Sequence, residues 1–305
     1  MFLVALLYAL FASVFTLSKV GLEYTEPLFF VGIRMVLGGI LLLIYQAIRS
    51  PQSFQFSKIP ISRLLRLALF NIYLTNVFEF WGLQYLPSFK TCFIYSLSPF
   101  LSALFSYFLF SERMSGKQKV GLCVGIVGFI PILAYHASEV KFSSQLLFLS
   151  WPELAVMAAV VTSVYGWILL KQLIKEDGCS PFFINGCSML AGGVMALLHS
   201  YLVEDWTPVP VTSWMPFLEC AIMLTIISNL ICYNLYGYLL RKYSATFMSF
   251  AGFVTPLFTA LFGWFYLGEI VTWPFYLSTA IVFSGLFLFH QEELKLQYRI
   301  ELSAT

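Results

Sequence analysis

Read for its apolar and polar positions, the chain is a series of long apolar runs separated by short polar gaps. Crossing a ~30 Å hydrocarbon core as a helix takes about 20 apolar residues, with about 17 to 25 tolerated. Ten runs fit that pattern, near Phe2–Ser18, Pro27–Ala47, Leu64–Leu86, Phe89–Phe110, Val120–Tyr135, Pro152–Leu170, Phe182–Val203, Trp214–Leu240, Ser244–Leu267 and Trp273–His290. The longest gaps, Ile48 to Arg63 and His136 to Trp151, are loops of about 16 residues, so no soluble domain fits between spans. The expected fold is an all-α membrane protein.

The pattern also repeats. An offset of 157 residues sets Pro99 on Pro256, Ala103-Leu104-Phe105 on Ala260-Leu261-Phe262, Phe108 on Phe265, Glu112 on Glu269 and Gly128 on Gly285. Register, spacing and a turn-marking acid recur together, which is the signature of one unit used twice. Ten spans in two units give five each, and an odd number inserts the second unit from the opposite side. The chain divides into a first five-helix repeat at 1–135, an external linker at 136–151, a second repeat at 152–290 and a tail at 291–305. Inverted repeats predict a secondary transporter, in which exchanging the conformations of two related halves opens one central site to either side.

Composition agrees with membrane insertion: 60% of residues are hydrophobic and 10% charged, with mean hydropathy +0.85, against roughly 25% charged in soluble domains. Charge placement sets the orientation. With the N-terminus in the cytoplasm, thirteen of the 17 Lys and Arg fall in inside segments and only Lys19, Lys90 and Lys141 outside, with Arg34 within a span. That split predicts cytoplasmic termini. The first run lacks a basic residue ahead of it and an Ala-x-Ala site, and reads as a retained span rather than a signal peptide.

The order of these features, with Ser18-Lys19 ending the first span, Pro27 and Arg34 opening the second, and the doubled Pro-x12-Glu with its downstream glycine, resembles the drug/metabolite transporter superfamily in its EamA branch. The resemblance covers essentially the whole chain. It implies carriage of a small organic solute through a cavity between two halves in a bacterial inner membrane, without ATP, cofactor, metal or nucleic acid. Two segments, Glu23-Tyr24-Thr25-Glu26-Pro27 and Asn76-Val77-Phe78-Glu79-Phe80-Trp81-Gly82, are similar to the S-adenosylmethionine carriers of obligate intracellular bacteria. That likeness implies uptake of S-adenosylmethionine in exchange for S-adenosylhomocysteine; proton-driven export of an amino acid or drug is the alternative. The nearest approach to a phosphate-binding loop, Ser111 to Lys117, lacks the leading glycine of G-x4-G-K.

Polar groups at membrane depth mark candidate sites. Asn71, Thr75 and Glu79 recur at four-residue spacing on the third run with Asn76 beside them, and map onto Ser228, Cys232 and Tyr236 of the eighth, where Thr225, Asn229 and Tyr233 widen the stripe. Arg34, Glu79 and Glu219 are expected in one layer, able to grip a zwitterion or to neutralise one another. Glu79, Arg34, Asn76, Asn71, Thr75, Asn229 and Tyr233 are therefore the candidate solute ligands, with Trp81, Tyr95, Tyr165 and Trp167 as candidate stacking rings. Taken singly, each ring reads as core before it reads as ligand. Lys19 is expected to snorkel to the headgroups. Ser98, Ser102 and Ser106, and the Gly121/Gly125 pair, read as helix-packing residues. Pro99 and Pro256 should kink their helices, and Glu112 and Glu269 should serve helix ends. The six cysteines include no C-x-x-C pair and the three histidines are scattered, so a metal site is not expected.

Overall fold

The computed structural model describes residues 2–49, 60–110, 115–137, 149–175, 178–243, 247–248 and 251–304. These are helical throughout apart from short connections. Helix α1 spans Phe2–Gly21, α2 Pro27–Arg49, α3 61–85, α4 88–110 and α5 116–137. Then follow α6 (Trp151–Lys175), α7 (Pro181–Val203), α8 (Trp214–Leu239), α9 (Gly252–Leu267) and α10 (Trp273–Ala304).

Among the described residues, α1, α2, α5, α6, α7 and α8 are long and apolar enough to cross a membrane. That is six against the ten runs anticipated. Helices α3 and α4 are interrupted, and the apolar stretches of α9 and α10, Gly252–Leu267 and Trp273–Phe289, are shorter. Lipid-facing surface is plain on α2, where Leu37, Ile40, Leu41 and Ile44 are exposed while Gly38, Gly39, Leu42 and Gln46 on the other face are buried. Hydrocarbon accepts such a face; water does not.

The interruptions fall in pairs. A π-helical segment occupies Ala68–Leu74 in α3 and Thr225–Cys232 in α8, and a 3-10 turn occupies Tyr95–Leu97 in α4 and Gly252–Val254 at the start of α9. Each pair begins at positions 157 apart. The 3-10 turns have a direct cause: Pro99 and Pro256 lack an N–H and crowd the carbonyl four residues back, which is Tyr95 in α4 and Gly252 in α9. The Ser98 hydroxyl donates to the Tyr95 carbonyl. Side chains likewise serve carbonyls at the π segments: Asn76 Nδ2 donates to Ile72 O at 2.7 Å, Thr75 Oγ1 to Phe70 O at 2.7 Å, and Asn234 Nδ2 to Asn229 O at 3.2 Å.

Glycines allow the closest helix pairs. Helices α2 and α7 touch through Gly39, where a Cβ would lie 2.7 Å from Leu190 N, and Gly193, where it would lie 2.8 Å from Val36 N. Helices α5 and α10 touch through Gly121, where a Cβ would lie 2.7 Å from Gly285 O, and Gly285, where it would lie 2.5 Å from Gly125 N. Small residues let backbones approach where lipid supplies no hydrophobic force between helices. Helix α3 packs on α6, α1 on α8 and α9, and α4 on α6 and α9.

Polar clasps gather at the end of the bundle where α1 and α3 stop. Lys19 Nζ donates to the carbonyls of Leu83, Gln84 and Leu86 at 2.6, 3.0 and 2.9 Å, so it caps α3 rather than reaching for headgroups. Lys90, expected in an outside segment, is 1% exposed inside the bundle and pairs with Glu153 at 2.5 Å. Burial of a lone ammonium is prohibitive, and a carboxylate partner removes most of that cost. Glu269 accepts from Ser88 N and Ser88 Oγ, both at 2.7 Å, at the start of α4; Glu112 lies outside the described residues. Glu204 accepts from Leu28 N and Phe29 N at 2.6 and 2.9 Å at the start of α2. Helix N-termini leave these donors unpaired and favour negative charge.

Candidate functional site: a central cavity with two unlike walls

A cavity of about 150 Å³ lies among α1, α2, α3, α4, α6, α8 and α9. The π segments end next to it. Thr75, Asn76 and Glu79 follow the first, Tyr233 and Tyr236 follow the second, and all five line the space. Wide turns of this kind recur at functional sites.

One wall is polar. Arg34 of α2 is 1% exposed; its Nη2 donates to Asn76 Oδ1 and its guanidinium lies 4.4 Å from the Phe80 ring centroid. Among the described residues, Arg34 Nε and Nη1 are buried with no hydrogen-bond partner. Glu79, 8% exposed, accepts from Tyr95 Oη at 2.5 Å. The base and the acid thus hold different neighbours. Buried charges are normally paired and hydrogen-bonded, so two unsatisfied guanidinium N–H groups beside a cavity invite an acceptor such as a carboxylate.

The other wall is aromatic. Trp167 of α6 lies 4.2 Å from Tyr236 and 5.3 Å from Tyr233, centroid to centroid, at interplanar angles of 35° and 41°. Phe11 meets Tyr236 edge-on at 6.4 Å. Tyr233 joins the walls, since Asn76 Nδ2 reaches its hydroxyl at 3.5 Å. These two residues are 157 apart, so equivalent positions of the two halves meet at the middle of the cavity.

Of the candidates from the sequence, Arg34, Thr75, Asn76, Glu79, Tyr95, Trp167 and Tyr233 line this space. Four lie elsewhere. Asn71 is buried against Gly166, whose added Cβ would sit 2.4 Å from Asn71 Cβ. Asn229 donates to Arg34 O and Met35 Sδ, both at 3.1 Å, and packs α8 on α2. Tyr165 packs edge-on against Phe70 at 5.0 Å. Trp81 pairs with Tyr85 at 5.3 Å in an outer crevice of about 860 Å³ that also holds Glu26, Glu204 and Asp205. Asn71 and Asn229 both lie inside the π segments, as does Ser228, the counterpart of Asn71, which lines the cavity. Glu219, expected in the Arg34 layer, is exposed on the outside of α8. Ser98 and Ser102, read as packing residues, line the cavity, as do Phe15 and Ser163. Phe80, the ring beneath Arg34, carries no sequence signal beyond being apolar four residues after Asn76.

A cavity between helices, lined by a buried base, a buried acid and a wall of rings, defines a membrane transporter for a small organic solute. Residues 1–134 and 150–290 match the EamA-like transporter family, and the chain belongs to it. It is 39% identical over 300 residues to the S-adenosylmethionine/S-adenosylhomocysteine transporter of Chlamydia trachomatis serovar L2, covering 97% of this chain and 90% of that one. A protein of the same description from Chlamydia muridarum is 38% identical over 298 residues, with 97% and 93% covered. An uncharacterized transporter of Bacillus subtilis is 26% identical over 276 residues, covering 88% of this chain and 89% of that one. A solved crystal structure superposes with a TM-score of 0.69 over 97% of this chain and 96% of the other at 16% identity, which shows the fold alone.

Proposed function

We propose that the protein takes up S-adenosylmethionine in exchange for S-adenosylhomocysteine by alternating access. The observation that carries the reading is the 39% identity, over 97% of the chain, to the chlamydial carriers. The cavity supports it. S-adenosylmethionine carries a carboxylate, an ammonium and a sulfonium; Arg34 is placed to take the first and Glu79 to neutralise the cationic part. The product has lost the sulfonium charge, so each exchange moves one net positive charge inward. A 100 mV inside-negative potential favours that direction by about 2.3 kcal/mol. Proton-driven export, the other expectation of the family, is not favoured by these relatives.

Ten spans in two inverted five-helix repeats supply the alternating geometry. The paired π and 3-10 segments at 157-residue offsets support this architecture. So does the packing, which keeps its pattern when the halves are exchanged: α3 on α6 mirrors α8 on α1, and α4 on α6 mirrors α9 on α1. Both termini face the cytoplasm on the basic-residue distribution. In a cysteine-free background, a cysteine at exposed Thr207 should react with an impermeant reagent in intact cells and one at exposed Lys242 should not; the reverse pattern rejects the orientation.

Thermal shift of the purified protein tests the solute. A ligand at 100 times its Kd stabilises by about 2.7 kcal/mol. S-adenosylmethionine and S-adenosylhomocysteine should each raise the melting temperature, and free amino acids at the same concentration should not. Stabilisation by neither rejects the assignment.

A further inference from the structure

The same backbone positions in the two halves carry different chemistry at the cavity. Subtracting 157 sets Tyr236 on Glu79, Tyr233 on Asn76 and Trp167 on Leu10. Arg34 maps onto Ala191. Charge therefore enters the cavity from the first half, and the stacked rings enter from the second. The asymmetry is geometric as well as chemical. Glu79 turns to Tyr95 and Arg34 to Asn76 and Phe80, while Trp167 closes on Tyr236 at 4.2 Å.

We infer that the solute lies across the cavity in one orientation, its nucleobase against Trp167 and Tyr236 and its amino-acid end against Arg34 and Glu79. A purine presents a flat, polarisable face that stacks on indole and phenol rings whatever its edge groups. The amino-acid end needs a donor for its carboxylate, and the two free guanidinium N–H groups of Arg34 supply one. Reversing the solute would bury its carboxylate among rings with no cation and leave Arg34 unsatisfied, which buried charge does not tolerate. Trp167 is then a specificity residue for the nucleoside moiety, and its contribution is blind to the charge on sulfur.

The inference rests on the carrier reading above, and a paired measurement separates their failures. The full-length protein in detergent is titrated with S-adenosylmethionine and with S-methylmethionine, which keeps the sulfonium and amino acid but has no nucleoside. Trp167→Leu should weaken S-adenosylmethionine and S-adenosylhomocysteine alike by roughly tenfold, the scale of one base–aromatic stack. It should leave S-methylmethionine within about twofold, and Trp167→Phe should restore most of the loss. Arg34→Gln should weaken all three ligands. If Trp167→Leu does not fold, Tyr236→Leu is read by the same criterion. Unchanged S-adenosylmethionine binding in the ring variants, or equal loss of S-methylmethionine, overturns the orientation while wild-type binding stands. Failure of wild type to bind S-adenosylmethionine removes the carrier reading and the orientation together.

Discussion

At the α5–α10 interface, Gly128 and Gly285, 157 apart, are the same residue in the same task. Gly128 lies against Val282, with an added Cβ 2.9 Å from its backbone nitrogen, and Gly285 lies against Gly125, with a Cβ 2.5 Å from its nitrogen. Val282 and Gly125 are themselves 157 apart, so the contact is reciprocal. At the cavity, equivalent positions share backbone geometry and differ in side chain: Asn76 against Tyr233, Glu79 against Tyr236, Tyr95 against Gly252. The repeat keeps its residue at Gly128 and Gly285 and loses it at the cavity, where the proposed solute would be told from others. A solute without internal symmetry requires that departure.

The largest expected effect breaks the packed side of this comparison. Gly285→Leu should abolish most folded protein, because the obstructing atoms are backbone and cannot move aside; overpacking of even a few atoms costs about 1–3 kcal/mol. Gly116→Ala, where an added Cβ meets nothing within 4 Å, is the matched control. Recovery of Gly285→Leu at wild-type yield, by fluorescence-detected size exclusion, would mean that the close approach is dispensable.

Next is the charged wall. Glu79→Gln removes the charge partner of a cation, an interaction worth about 1.5–3 kcal/mol. Affinity for S-adenosylmethionine should fall by roughly tenfold or more, and that for S-adenosylhomocysteine by far less, measured as two dissociation constants on one preparation. Equal losses would make Glu79 a structural partner of Tyr95.

The interruptions near Pro99 and Pro256 and most of the residues that line the cavity were legible in the sequence. They rest on spacing and on the cost of polar groups at membrane depth. The failures have more than one physical origin. Spacing places a residue on a face but does not show what packs there: Asn71 lies against Gly166 and Asn229 donates to Arg34 O and Met35 Sδ, while Ser228, inside the second π segment, does line the cavity. Lys19, read as headgroup-seeking, was misjudged for another reason. Charge at a span end looks solvated in sequence, and only three-dimensional packing reveals Glu153 for Lys90 or the α3 carbonyls for Lys19.

Smaller effects sharpen the contrast at the helix ends. Glu269→Gln should lower folded yield by weakening the cap on α4, a loss of about 0.5–2 kcal/mol, with solute preference unchanged. Normal yield with an altered preference would place Glu269 in recognition. The smallest effect is at Glu26, outside the spans. Burial first, then the carboxylates of Glu204 and Asp205, push its carboxyl above the usual range. Ionising Glu26 therefore costs stability, a cost absent in acid and incurred as pH rises through that range. Glu26→Gln should raise the melting temperature slightly at pH 7 and leave it unchanged below about pH 4.

The most direct test of the account is counterflow in proteoliposomes. Vesicles loaded with S-adenosylhomocysteine should accumulate labelled S-adenosylmethionine, empty vesicles should not, and an inside-negative potassium diffusion potential should increase the accumulation. Uptake that is equal in loaded and empty vesicles, or indifferent to the potential, would contradict electrogenic exchange through this cavity.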